Sequence, residues 1–145
     1  IQRMSAGSGI QHSEYNHSQT TPVHLLQMWV LPSSHGLPPS WEQKKFSETE
    51  KQNNVLRVVS QTPHENALGI HANANFSVSI LEQGKKIVHP LGKKTKSYVF
   101  VIEGKIRING QTLEVLDAAK ITDDKELTVE ALKNTHWVIW ELKNV

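Results

Sequence analysis

Residues 97–110 read Ser97-Tyr98-Val99-Phe100-Val101-Ile102-Glu103-Gly104-Lys105-Ile106-Arg107-Ile108-Asn109-Gly110. Two β-prone runs meet at Gly104, and Asn109-Gly110 is the dipeptide that most strongly marks a two-residue hairpin turn. The stretch predicts strands over 97–103 and 105–109, the second turning back into a strand that begins near Gln111. Upstream, 55–60, 67–70 and 75–82 read as further strands. In the last of these, Phe76, Val78 and Ile80 fall on one face and Ser77 and Ser79 on the other. Downstream, 119–122, 127–131 and 136–142 complete the set, with turns at Asp123-Asp124 and Lys133-Asn134. Short strands at this spacing, with hardly any helix, predict a β-sandwich or jelly-roll barrel.

Composition fits a globular chain. Of 145 residues, 37% are apolar and 21% charged, with 16 basic and 14 acidic side chains giving a net charge of +2. No apolar run approaches the roughly 20 residues that span a bilayer, so no membrane partner is expected. No secretory signal precedes the first polar residues, and a cytoplasmic location is expected. There is no cysteine, which excludes disulfides and thiolate chemistry. The basic cluster Lys93-Lys94 with Lys96 is too small and lacks interleaved aromatics, so nucleic acid is not an expected partner.

Ahead of the barrel lies a different region. Val23-His24-Leu25-Leu26-Gln27-Met28-Trp29-Val30 is apolar and predicts a largely buried strand ending before Pro32. Pro32, Pro38 and Pro39 make 31–41 a stiff connector, 41–46 a short helical turn, and polar 47–54 a linker. Near the start, Gly9-Ile10-Gln11-His12-Ser13-Glu14-Tyr15-Asn16 carries His-x-Glu. On a strand, residues i and i+2 share a face, so His12 and Glu14 would aim at one point. An imidazole and a carboxylate suit non-haem iron, manganese or nickel, although such sites take three or four protein ligands. A bare His-x-Glu is more often a chance surface pair than a ligand pair. Of the other histidines, His17 reads as exposed in a turn and His24 as a hydrogen-bonded core residue; His64, His71, His89 and His136 read as structural or surface residues. The four tryptophans read as packing, with Trp137 and Trp140 on opposite faces of their strand.

The segment from Gln2 to Asn16 closely resembles the pirin family, and Gly9, His12 and Asn16 also fit the second cupin motif G-x-x-H-x-x-x-N. Gly7 stands where that motif usually has proline. The likeness runs on through Val23–Val30, Pro38-Pro39 and Trp41-Glu42-Gln43, and stays compatible with a pirin carboxy-terminal domain to the end. It implies an all-β, cupin-like jelly-roll β-barrel: 1–46 as remnant strands of a first, metal-binding cupin domain of a bicupin, 47–54 as linker, 55–145 as a degenerate carboxy-terminal cupin domain. Around Gly84 the first cupin motif keeps His89, while Leu91 stands for its second histidine and Ser97 for its glutamate. Asp117–Thr128 has no histidine.

Some pirins are quercetin 2,3-dioxygenases, in which one divalent metal is held by a His-x-His pair, a histidine and a glutamate. The last two map onto His12 and Glu14, with Glu14 also a catalytic proton acceptor. Iron is the expected metal, with manganese, nickel, cobalt, copper and zinc as the others the donors accept. A flavonol would bind through its 3-hydroxyl, and oxygen would open the ring with loss of carbon monoxide. No His-x-His occurs in this sequence, and the chain opens on Ile1, so a truncated chain that is inactive alone is expected, with metal bound only when the other ligands are supplied. The second expectation is a non-catalytic regulatory or protein-binding module, able to form a homodimer through exposed strand edges.

Overall fold

The computed structural model describes residues 1–62 and 66–143; His64 lies outside them. A two-stranded sheet pairs β1 (Gln2–Ser5) with β2 (Ser40–Gln43), and one turn of helix, α1 (Glu48–Lys51), follows. The remaining strands are β3 (Leu56–Ser60), β4 (Leu68–Gly69), β5 (Ala74–Leu81), β6 (Lys86–Pro90) and β7 (Thr95–Glu103). After them come β8 (Lys105–Ile108), β9 (Gln111–Glu114), β10 (Ala118–Ile121), β11 (Glu126–Ala131) and β12 (Thr135–Lys143). They form a six-stranded sheet ordered β10-β7-β12-β5-β3-β4 and a four-stranded sheet ordered β6-β11-β8-β9. The architecture is the jelly-roll expected.

The quoted stretch folds as its residues dictate. Asn109 and Gly110 both take positive φ, 45° and 88°, which is the requirement of a type I′ turn. Ile108 then pairs with Gln111. The Asn109 side chain fixes the turn to the neighbouring strand: its Nδ2 donates to Asp124 Oδ2 at 2.9 Å, and Thr128 N donates to its Oδ1 at 2.9 Å.

Two apolar clusters hold the sheets. Between them lie Leu81, Val99, Val101, Ile106, Leu127, Val129, Trp137 and Ile139. On the outer face of the six-stranded sheet lie Phe46, Val58, Phe76, Val78 and Val138, with Trp140 packed against them. The central strands are therefore covered on both sides. β5 divides its faces as expected, Phe76 and Val78 on one and Ser77 and Ser79 on the other, and both serines are buried. Trp137 and Trp140 fall in different clusters, as their parity requires.

The amino-terminal region departs further. Val23–Val30 forms no strand and is not buried; Trp29 is 90% exposed. β-propensity needs a neighbouring strand to pair with, and among the described residues this segment has none. His12 and Glu14 also lie in irregular chain rather than on a strand. Residues 40–43 are β2 instead of helix, because β1 offers them a pairing edge. Within 47–54, Ser47 caps α1 in a reciprocal capping box with Glu50.

Candidate functional site

Residues 6–39 make a long loop whose ends are clamped by β1 and β2. Arg3 reinforces the clamp, donating to Ser40 Oγ at 2.9 Å and pairing with Glu42 at 2.6 Å. Ser8 N donates to Leu37 O at 3.2 Å. A side chain on Gly7, at φ 55°, would collide with that same carbonyl, so glycine is required where the cupin motif usually has proline. The loop is tied to the barrel at His71, whose Nδ1 lies 3.1 Å from Ser5 Oγ and whose carbonyl accepts from Ser33 N at 2.8 Å.

At the near end of this loop, His12 Nδ1 lies 3.5 Å from Glu14 Oε1, with the side chains 35% and 48% exposed. The residues meet without the strand that was expected to align them. Asn16 shapes the chain just beyond: its Nδ2 donates to Thr21 O at 2.7 Å and its Oδ1 accepts from Ser18 N at 3.1 Å. An imidazole nitrogen and a carboxylate oxygen at this spacing both reach an ion at about 2.1 Å, so the donor pair suits a divalent metal. No group of three or more histidine, aspartate or glutamate side chains able to hold a metal occurs among the described residues. His17 is exposed as expected. His24 is exposed rather than buried in the core, and lines a groove of about 420 Å3 with Leu26, Met28, Phe76 and His136.

A second constellation lies inside the barrel. Glu141 is 6% exposed, and its Oε2 sits 3.6 Å from both Arg57 Nη2 and His89 Nε2. Directly opposite Glu141 on β7 is Ser97, also buried. Of these residues, His89 keeps a position of the first cupin motif and Ser97 stands where that motif has glutamate. Glu141 carried its own signal: it shares strand parity with Trp137 and Ile139, which puts a carboxylate on a core-facing position.

Residues 57–142 match the family model of the quercetinase C-terminal cupin domain, and residues 1–30 match the pirin model. The quercetin 2,3-dioxygenase of Escherichia coli (strain K12) is 30% identical over 145 residues, covering 100% of this chain and 62% of that protein. A pirin-like protein of Caulobacter vibrioides is 33% identical over 140 residues, covering 96% and 60%. The crystal structure of YhhW from Escherichia coli superposes with a TM-score of 0.91 at 29% identity, covering 99% of this chain and 60% of that one. Bacterial pirin YhhW in complex with nickel(II) superposes with a TM-score of 0.90 at 29% identity, covering 99% and 61%. The chain thus spans about three fifths of the length of these relatives.

Proposed function

The chain belongs to the pirin family, and from that premise we propose that it carries part of a quercetin 2,3-dioxygenase-type metal site, with His12 and Glu14 as two ligands of one divalent ion. The observation that carries this reading is their 3.5 Å approach inside the segment matched by the pirin model. A divalent ion held there supplies Lewis acidity and lowers the pKa of a bound hydroxyl. Nickel is the metal in the Escherichia coli relative's complex; one imidazole and one carboxylate suit nickel and the expected iron alike. The substrate class is a flavonol, after the activity named for the relatives. Glu14, half exposed beside His12, takes the flavonol 3-hydroxyl proton in this reading.

Two donors hold an ion weakly, because coordination and its chelate advantage remain incomplete. The chain by itself is therefore expected to bind nickel substoichiometrically and to leave quercetin unchanged. Equilibrium dialysis with metal analysis, alongside quercetin absorbance, tests this. His12→Ala and Glu14→Gln should each abolish the residual nickel binding. Supplying the amino-terminal portion of a longer relative in trans should raise both metal content and turnover. Nickel uptake indifferent to both substitutions would sink the assignment, and turnover by the unaided chain would sink the inactivity.

A non-catalytic, protein-binding role is favoured by a separate observation. Val23, Leu25, Leu26, Met28, Trp29 and Leu31 expose a run of apolar side chains in one segment, as interaction surfaces do. Restored turnover in the trans experiment decides for the enzyme.

A further inference from the structure

The groove of about 420 Å3 runs between the amino-terminal loop and the outer face of the six-stranded sheet, and its size falls among small-molecule sites, about 300–1,000 Å3. Val78 and Val138, directly opposite one another on β5 and β12, form its floor with Phe76 beside them. Trp140 packs on Phe76 with ring centroids 4.7 Å apart, and its Nε1 donates to Met28 Sδ at 3.2 Å. That bond fastens the loop over the floor. Alternate residues His24, Leu26 and Met28 line the groove, while Leu25 and Trp29 stay exposed. Apolar surface with a few polar groups at one end is the usual make-up of a ligand site.

The polar end sets the charge of what can enter. Lys45 and Lys51 line it, and neither ammonium has a hydrogen-bond or ion-pair partner among the described residues. Glu103 lines it too, opposite His136 on the neighbouring strand. Glu48, the other carboxylate near His136, does not. Burial, with Lys51 adding to it, lowers the pKa of His136, so its ring offers a hydrogen bond rather than a charge at neutral pH. Two ammonium groups against one carboxylate leave this end net positive, favouring an anion over a cation. We propose that the groove binds a linear apolar carboxylate, its hydrocarbon chain along Phe76, Val78 and Val138 and its head group at Lys45 and Lys51. The inference stands apart from the metal reading, because neither His12 nor Glu14 lines the groove.

The probe is decanoate, held below its micelle threshold and titrated into the isotope-labelled 145-residue chain with a chelator present. Saturable methyl shifts are expected at Leu26, Met28, Val78 and Val138. Octanoate, two methylenes shorter, should bind about tenfold more weakly. 1-Decanol, which keeps the chain and lacks the charge, should bind about fivefold more weakly than decanoate. Lys45→Gln with Lys51→Gln should erase that preference and leave 1-decanol binding unchanged. Leu26→Glu, placing a carboxylate in the loop wall, should weaken both ligands by about tenfold or more. Octanoate binding as tightly as decanoate, a preference for the alcohol, or a preference that survives the lysine changes would each overturn the proposal. So would the absence of saturation, or the same methyl signals moving with protein concentration alone, which would make a second copy of the chain the occupant.

Discussion

Gly104 sits between β7 and β8 at φ 83°, where an added methyl group would run into the Asn134 carbonyl and Thr135. Two penalties coincide there, a left-handed backbone and a collision with main chain. Gly104→Ala should therefore lower stability by about 2–4 kcal/mol in urea unfolding; a loss under about 1 kcal/mol would mean the loop relaxes freely. His136 makes a different residue-scale prediction. Burial, with nearby Lys51 adding to it, lowers its pKa below the ordinary 6.5, while Glu103 and Glu48 pull the other way. The folded value lies below the unfolded one, so the stabilisation is complete above 6.5 and is lost as pH falls through the folded value. The melting temperature should drop between about pH 7.5 and about pH 5, and His136→Gln should flatten that part of the curve.

At the level of elements, legibility followed pairing. The hairpin at Asn109-Gly110 was plain because its turn chemistry is local and its strands have partners in the same barrel. Residues 23–30 carry equally strong β-propensity yet stay irregular, because a strand is defined by what lies beside it and the sequence does not display that. β6 went unread, its alternation hidden by charged residues at Lys85 and Lys86. The contrast is measurable. Ile139→Ala, inside β12 and fully buried, should cost about 3 kcal/mol. Trp29→Ala, at the heart of the misjudged strand, should change stability by less than about 0.5 kcal/mol. A large loss at Trp29 would restore the buried-strand reading.

For the molecule as a whole, the candidate site was legible as residues and illegible as geometry. His12 and Glu14 announced themselves by motif, but the loop that carries them is closed by Arg3 on Ser40 and by Ser8 on Leu37, partners that lie far along the chain from one another. The barrel's own edges are short, and β6 ends on Pro90, which discourages further pairing. Self-association is therefore expected through the exposed apolar segment. Light scattering after size exclusion should show a concentration-dependent dimer that Leu25→Ser with Trp29→Ser dissolves; a dimer surviving both changes would point to another surface.

β12 sends Trp137 and Ile139 into one apolar cluster and Val138 and Trp140 into the other, so a single ribbon is the party wall of two rooms. Within the barrel, such a plan ties the two clusters to one strand. Whatever pries that ribbon loose floods both chambers together, and the damage done by any lesion along it is felt on each side at once.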